Sequence, residues 1–413
     1  MELKFKKIIW QSFLVIVLFL FFYDTSFKFL PTLLSGRKIA IIIFALIALL
    51  KNREIILSGF KSVKNVILPI AIITGVSIIV VTINLLYRFG SLSIQENQLG
   101  ANIYYLIFFC IGLFLMYVVF KDDIEFVTCL SYAHICQAIF IYISLFFPKF
   151  RDFVADILHQ LGNLALNTDA RIIGFSNSGG SSVSLLLFSG MVCIGYLILK
   201  RQKSSLKMLA MYIFILMSAF FVGKTGFYLG LGLLIYICIE IIISQKVNVQ
   251  KVIIYFGISV IIFIIFIIIL KVVAPETLRK STKLAFSLIR NGLSDPSITS
   301  LINMDIPLRG IDLLFGTGLY RGVTNTGIIL KHDSGYVRSI FSIGLIMTTL
   351  FYGSHLYIMI NENKKTIKTL KRYLFLIIAI IFFVEIKEAF FFKIYIQMIP
   401  LLIILLMNKE QRN

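Results

Sequence analysis

The sequence predicts an all-α, polytopic integral-membrane helical bundle, and three observations support this prediction. The chain has 413 residues, of which 59% are hydrophobic and only 15% are charged. Soluble domains are about 45–50% apolar and about 25% charged. The mean hydropathy is +0.95, and long apolar runs recur throughout the chain. We therefore expect a single transmembrane domain over residues 1–413.

About twelve segments are candidate membrane spans, because each is apolar over roughly the length that a bilayer requires. They lie at 8–23, 33–50, 65–87, 101–120, 126–147, 181–199, 207–222, 226–244, 252–270, 335–360, 373–386 and 389–407. The second is the weakest candidate, because Arg37 and Lys38 fall in its first third. The last two segments also fit a re-entrant pair, since four charged residues crowd their junction: Glu385, Lys387, Glu388 and Lys393.

Short basic segments predict the orientation of these spans. Lysine and arginine clusters alternate along the chain as cytoplasmic segments do; they lie at 4–7, 51–64, 200–207, 246–251 and 364–372. An even number of spans then places both termini in the cytoplasm and makes the two long loops, 148–180 and 271–334, extracytoplasmic. No small-residue cleavage site follows the first apolar run, so this run is predicted to remain as an uncleaved span.

The charge balance and the cysteines argue against several classes of protein. The formal net charge is +20, but the basic residues lie in short clusters beside apolar runs. This pattern indicates topology and contact with anionic lipid rather than nucleic-acid binding. The five cysteines lie in apolar runs without a CxxC spacing, which favours core packing over a disulfide framework or a metal site. No nucleotide-binding or hydrolase motif is present, and no cofactor or metal is predicted.

The first long loop and a later hairpin carry candidate anion-binding residues. In the first loop, Arg171 and Gly174 precede a small-residue sequence that leads into the sixth span. Such a sequence either exposes backbone N–H groups to an anion or forms an ordinary turn and helix cap. In the sequence GKTG at 223–226, Lys224 either contacts phosphate at a cavity rim or reaches the interface as a snorkelling lysine.

The second long loop contains two predicted helices. Residues 276–291 form a basic amphipathic pattern that suits a lipid surface or a lipid-linked phosphate, and Arg290 lies on it. Residues 305–320 are expected to contain a short helix that carries Arg309 and ends at the glycine turn FGTG. Arg321 follows this turn, and Arg338 lies about one turn inside the tenth span.

The loop ends in the sequence HDSGY, which contains His332 and Asp333. His332 is either a functional group at the start of a span or a solvent-facing residue, and Asp333 is alternatively the N-cap of the tenth span. His134 and His355 lie inside spans and are expected to find partners within the bundle. Glu240 is expected to be snorkelling or to have a structural partner. Glu385, with Lys387 and Glu388, is a candidate for an outward cavity wall.

The order of these pieces resembles the Wzy and O-antigen-ligase group of polytopic membrane glycosyltransferases. The matching pieces are Arg171 with Gly174, GKTG at 223–226, Arg309 with LLFGTG at 313–318, and DSGYVRSIFSIGLI at 333–346. These short motifs occur in the order of that group and lie on the predicted outer side of the membrane. Together with the topology and the loop sizes, the resemblance covers most of the chain.

The resemblance implies a Wzy-type polymerase of O-antigen or capsular polysaccharide in the bacterial cytoplasmic membrane. Its substrate would be a polyprenyl-pyrophosphate-linked oligosaccharide, and arginines would stabilise the leaving group without a metal. His332 or Asp333 would be the general base for the acceptor hydroxyl, and Arg309 would be a catalytic arginine. The remaining candidates would bind the substrate: Arg171, Lys224, Arg290, Arg321 and Arg338. Membrane lipids, a chain-length regulator and a flippase of the same pathway are the implied partners.

Three other functions are compatible with parts of the pattern. An O-antigen ligase would pass the glycan to a different acceptor. A transporter or flippase of lipid-linked sugars would be expected to show two similar halves and polar residues along several spans, whereas this chain has unequal halves. A non-catalytic scaffold of an envelope complex would tolerate removal of the charges in its loops.

Overall fold

The computed structural model describes residues 2–30, 34–89, 91–92, 97–158, 172, 174–176, 179–201, 206–245, 257, 261, 264–269, 271–272, 275–294, 299, 306, 308–320 and 334–410. Helices dominate these residues. Within the same ranges there is no β-strand, and extended pairing is limited to two isolated bridges, Phe27–Leu158 and Asn97–Leu319. The predicted all-α class is confirmed.

Fifteen helices can be named within the described ranges. In chain order they are α1 (Glu2–Tyr23), α2 (Gly36–Leu49), α3 (Arg53–Phe89), α4 (Gln98–Val119, π-helical at Leu106–Ile111), α5 (Asp123–Phe146), α6 (Pro148–Ile157), α7 (Gly180–Arg201), α8 (Leu206–Val222), α9 (Lys224–Gln245), α10 (Pro275–Ala285), α11 (Ser287–Asn291), α12 (Ile311–Phe315), α13 (Gly335–Asn363), α14 (Lys368–Glu385) and α15 (Met398–Glu410).

Seven helices in the described part of the chain are long and apolar enough to cross a membrane. They are α1, α3, α4, α5, α7, α9 and α13, while α8 and α15 are apolar but shorter. The chain is therefore a helical membrane protein. The count of about twelve spans stays a prediction, because α2 has only 14 residues and most of the ninth predicted span, 252–270, lies outside the described residues.

The last predicted span differs from the observed helix. The apolar pattern predicts a span over 389–407, but α15 begins at Met398, and residues 386–397 contain turns instead. The physical reason is visible in the hydrogen bonds of this segment. The backbone N–H groups of Phe390 and Phe391 donate to the Glu385 carboxylate at 3.0 and 3.3 Å. These bonds tie the segment back to the end of α14 before a new helix begins.

Contacts group the chain into two compact units that interleave along the sequence. The first comprises Met1–Ile43, Asp122–Gly292 and Ile367–Tyr373, and the second comprises Phe44–Lys121, Leu293–Thr366 and Leu374–Asn413. In the first unit α7 is the central helix, because α5, α8 and α9 all pack against it. The expectation of a single transmembrane domain stays a prediction.

Several buried polar side chains in the first unit have hydrogen-bond partners within that unit. The Tyr23 hydroxyl lies 2.6 Å from His134 Nδ1, and the Ser189 hydroxyl lies 3.1 Å from His134 Nε2. Glu240 accepts a hydrogen bond from the Arg372 guanidinium. The predictions that His134 and Glu240 have partners within the bundle are confirmed, since a buried polar group without a partner would be costly.

The second unit is built around α13, against which α3, α12 and α15 pack. His355 of α13 has a partner for each ring nitrogen. Its Nε2 lies 2.6 Å from the Tyr105 hydroxyl, and its Nδ1 lies 2.7 Å from the carbonyl oxygen of Phe351. Gln397 extends this buried network by donating to the Tyr105 hydroxyl at 3.2 Å. The prediction that His355 is satisfied within the bundle is therefore confirmed.

Candidate functional site

A break in α13 provides the docking place for residues 308–320, which belong to the second long loop. Gly344 has a φ of +80° and a non-helical backbone inside α13. Backbone carbonyl groups just before the break accept hydrogen bonds from the loop. The N–H of Thr317 donates to the Phe341 oxygen at 2.8 Å, and the N–H of Gly318 donates to the Ser342 oxygen at 2.9 Å. Irregular backbone at membrane depth requires such protein partners.

Two glycines make this close approach possible. Gly316 has a φ of +76°, and a Cβ atom placed on it would lie 2.5 Å from the backbone nitrogen of Gly344. A Cβ atom on Gly344 would in turn collide with the carbonyl oxygen of Leu314. Both positions therefore combine a left-handed backbone with a lack of space, which only glycine accommodates. The predicted glycine turn FGTG is confirmed.

Side chains of α3 fix the same loop segment. The Arg88 guanidinium forms a two-pronged ion pair with the Asp312 carboxylate of α12, and the Asn84 amide donates to the carbonyl oxygen of Phe315 at 2.8 Å. The first residue of α4 also contributes, because the Gln98 N–H donates to the Gly318 oxygen at 2.9 Å. Three helices of the second unit thus hold the segment.

At Tyr320, within the same segment, two cations lie near one aromatic ring. The Arg338 guanidinium carbon lies 5.4 Å from the centre of the Tyr320 ring, and Lys393 Nζ lies 5.7 Å from it. Both distances fall within the range of cation–π attraction. Arg338 is only 4% exposed, Tyr320 is half-buried and Lys393 is exposed. We call these three residues the cation–aromatic site, and a ligand could approach it from the lysine side.

A buried carboxylate contacts the two elements that carry Arg338 and Lys393. Glu385 is 1% exposed, and its carboxylate accepts a hydrogen bond from the Tyr352 hydroxyl at 2.7 Å. That hydroxyl also lies 3.0 Å from the Ser339 hydroxyl, one residue beyond Arg338. A Cβ atom on Gly335 would collide with the Glu385 carboxylate. Glu385 therefore contacts the first turns of α13 and, through the Phe390 and Phe391 amides, the segment that carries Lys393.

The first unit contains a separate group of basic residues. Lys224, at the start of α9, donates from Nζ to the Ser287 hydroxyl of α11 at 3.1 Å. The predicted basic helix at 276–291 is confirmed as α10 and α11, which follow each other directly. Their exposed side lines a cavity of about 640 Å³, which we call the basic pocket; its cations are Lys271, Arg279, Lys283 and Arg290.

The glycines of GKTG serve close helix packing. A Cβ atom on Gly223 would lie 3.1 Å from Ser184 Cβ, and one on Gly226 would collide with the Ser184 carbonyl group. The Ser184 hydroxyl accepts a hydrogen bond from the Gly226 N–H at 2.7 Å and donates to the Gly223 oxygen at 2.9 Å. This motif therefore joins α7 to the start of α9.

Gly226→Ala is expected to lower the free energy of unfolding by about 2 kcal/mol, because the added methyl group overpacks the α7–α9 contact. The matched control is Gly232→Ala on the same helix, where a Cβ atom would meet nothing within 4 Å. Denaturant unfolding of both purified variants in one detergent measures the difference. Equal stability of the two variants would contradict the packing role of the motif.

The predicted site residues fall into separate groups. Arg171, Arg321, His332 and Asp333 lie outside the described residues. Lys224 and Arg290 lie in the first unit, whereas Arg309 and Arg338 lie in the second. Only Arg338 belongs to the cation–aromatic site.

Two local predictions for the second loop are wrong. Arg309 does not lie on a helix, because Gly310 adopts a φ of +56° and α12 begins only at Ile311; its side chain is exposed. The N-cap of the tenth span is Ser334 rather than Asp333, since the Ser334 hydroxyl accepts a hydrogen bond from the Val337 N–H at 3.4 Å.

Sequence reasoning missed two members of the cation–aromatic site. Lys393 carries a signal that was available: it is the one charged residue between 389 and 407, inside a predicted span, and an ionisable residue in a span marks a candidate functional site. Tyr320 carries no comparable signal, because an aromatic residue after a glycine turn is common. Among the described residues, no three histidine, cysteine or acidic side chains are grouped so that they could hold a metal ion.

The fold defines the class of protein as a helical membrane protein. Models of protein families do not match the chain, and no curated protein matches it.

Proposed function

We propose that this protein is a membrane glycosyltransferase that polymerises polyprenyl-pyrophosphate-linked oligosaccharide repeat units into O-antigen or capsular polysaccharide. The observation that carries the proposal is the cation–aromatic site, in which buried Arg338 and exposed Lys393 share the ring of Tyr320. A fixed cation beside an accessible one suits a ligand with two phosphate groups. Arg338 lies in the first turn of α13, six and five residues after the candidate bases His332 and Asp333 in sequence.

The proposed reaction needs no group beyond the substrates and the side chains of this chain. The acceptor hydroxyl attacks the anomeric carbon of the donor glycan, and the bond from that carbon to the pyrophosphate oxygen breaks. The pyrophosphate leaves with the bonding electrons, and Arg338 and Lys393 stabilise its growing charge. The proton of the acceptor hydroxyl passes to a general base, for which His332 and Asp333 are the proposed residues.

The proposed setting is the outer face of the bacterial cytoplasmic membrane. It includes about twelve spans, cytoplasmic termini and extracytoplasmic loops at 148–180 and 271–334. Support comes from the alternation of basic clusters along the chain. On this proposal Arg309, Arg171 and Arg321 are further cations on the outer side. A flippase would deliver the lipid-linked units, and a chain-length regulator would act on the growing glycan.

An elongation assay tests the proposed function. Lipid-linked repeat units are extracted from a strain that lacks this gene and are incubated with the purified protein in phospholipid vesicles. We expect a ladder of longer lipid-linked glycans on a gel, with no added metal or nucleotide. An inactive protein would contradict the proposed function. Full activity in each of the variants Arg309→Ala, Arg171→Ala and His332→Ala would instead contradict the assignment of those residues to the site.

The deletion strain separates polymerase from ligase. A polymerase mutant is expected to retain single repeat units attached to the final acceptor, whereas a ligase mutant would accumulate long glycans on the lipid carrier. Accumulation of long glycans on the lipid carrier in the deletion strain would therefore favour the ligase alternative over the polymerase.

A further inference from the structure

We propose that the first unit binds an anionic bilayer phospholipid, with the headgroup in the basic pocket and one acyl chain in a neighbouring apolar cavity. This inference does not depend on the proposed transferase activity, since it concerns the first unit alone. The cations of the basic pocket come from α10, α11 and the helical residues just before them. The apolar cavity lies among α5, α8 and helical residues 264–269.

The charge of the basic pocket requires an anion. Arg279, Lys283 and Arg290 follow one another at intervals of four and seven residues, which places them along one side of the α10–α11 stretch. Lys271 joins them in the lining. Glu276 offsets part of this charge by pairing with Arg279 at 3.0 Å, but both side chains are well exposed, so the pair is weak. A phosphate diester would supply the missing charge.

The lining also distinguishes an amphiphile from a free ion. Leu278 and Phe286 contribute apolar surface to the same pocket as the cations, and Phe286 remains exposed. A small inorganic anion gains nothing from such surface, whereas the glycerol and upper acyl region of a lipid does. Basic residues on one helix with apolar residues between them are typical of helices that lie at a membrane surface.

The apolar cavity offers room for the acyl chain. It has a volume of about 410 Å³ and is lined almost entirely by aliphatic and aromatic side chains. Tyr142 of α5 packs against Phe214 of α8 and against Phe266, with ring centres 4.7 and 5.6 Å apart. The Tyr142 hydroxyl is satisfied by donating to the Phe214 oxygen at 2.9 Å, so the cavity presents no unsatisfied group from this ring to a hydrocarbon chain.

Chain connectivity places the two cavities within the reach of one lipid. Phe266 lines the apolar cavity and Lys271 lines the basic pocket, and Lys271 follows Phe266 by only five positions in the chain. Five residues span at most about 18 Å even when fully extended. An acyl chain crosses half of a hydrocarbon core that is about 30 Å thick. A single lipid can therefore place its phosphate at Lys271 and its chain beside Phe266.

Lipid binding is tested by native mass spectrometry of the full-length protein in detergent, titrated with phosphatidylglycerol. We expect Lys271→Gln/Lys283→Gln/Arg290→Gln to weaken binding by at least about tenfold, since each basic residue near a lipid surface contributes appreciably. The matched control is a triple variant of α3 that removes the same residue types: Arg53→Gln/Lys61→Gln/Lys64→Gln. This control is expected to weaken binding much less than the site triple variant does, because it leaves the basic pocket intact.

Additional titrations with other ligands test whether the phosphate bound in the basic pocket belongs to a bilayer phospholipid. Phosphatidylcholine with the same chains is expected to bind at least about tenfold more weakly, and inorganic phosphate is expected not to compete. Ala210→Phe, which fills the apolar cavity, is expected to weaken phosphatidylglycerol binding while the cations remain. Equal binding of the two lipids, unchanged binding by the site triple variant, or competition by inorganic phosphate would overturn the proposal. Complete displacement by equimolar polyprenyl phosphate would overturn it as well, by assigning the pocket to that carrier.

Discussion

Arg338→Met is expected to reduce chain elongation by at least about 100-fold, because it removes the buried cation that would stabilise the departing pyrophosphate. Lys393→Met is expected to reduce elongation by about tenfold, since the exposed lysine is better solvated and contributes less. Arg338→Lys should fall between the wild type and Arg338→Met, because it keeps the charge but loses the planar fork of donors. Initial rates of ladder formation measure all three effects.

Two charge-matched variants control for this experiment. Arg53→Met and Lys364→Met remove exposed cations from α3 and from the other end of α13, and both are expected to elongate at the wild-type rate. Arg338 is buried, so its variants also need a thermal melt to show that they fold. Lys393 is exposed, and its variant is expected to fold normally. Wild-type rates in Arg338→Met and Lys393→Met together would remove the cation–aromatic site from the mechanism.

Gly344→Ala is expected to lower the free energy of unfolding by about 3 kcal/mol or more. The residue has a φ of +80°, and the new methyl group would collide with the Leu314 carbonyl group. Strained backbone and overpacking each carry a cost of about 1–3 kcal/mol. Denaturant unfolding in detergent measures the loss.

Gly353→Ala is the control for Gly344→Ala, because it lies in the same helix. A Cβ atom there would meet nothing within 4 Å, and the substitution is expected to be neutral or to stabilise the helix by up to about 1 kcal/mol. If Gly344→Ala is as stable as Gly353→Ala, the break in α13 is not a fixed part of the fold.

The helical class and most of the long helices could be predicted from the sequence, for a simple reason. Hydropathy depends on composition, and the runs at 101–120 and 181–199 are long and free of charge. The basic helix at 276–291 was predictable because its charges follow the period of a helix. These features are local, so a window of about 20 residues contains the whole signal.

The break in α13 could not be predicted in the same way. Gly344 lies in a continuous apolar run, and its backbone departs from a helix because Gly316, 28 residues earlier, must fit against it. The cation–aromatic site also depends on distant residues, since Tyr320 and Lys393 are 73 residues apart in sequence. Glu385 was predicted only as part of a wall, whereas its hydrogen bonds to Tyr352 and to two backbone amides reveal a structural role.

The docking of Thr317 and Gly318 into the break has a consequence for biosynthesis. Unpaired carbonyl groups in hydrocarbon cost several kcal/mol each, so the carbonyl groups of Phe341 and Ser342 need their loop partners when α13 enters the bilayer. The loop segment is translated first and becomes available before the helix is complete. We therefore expect the two stretches to insert into the membrane as one unit, and cutting the chain between them is expected to leave neither stretch correctly placed.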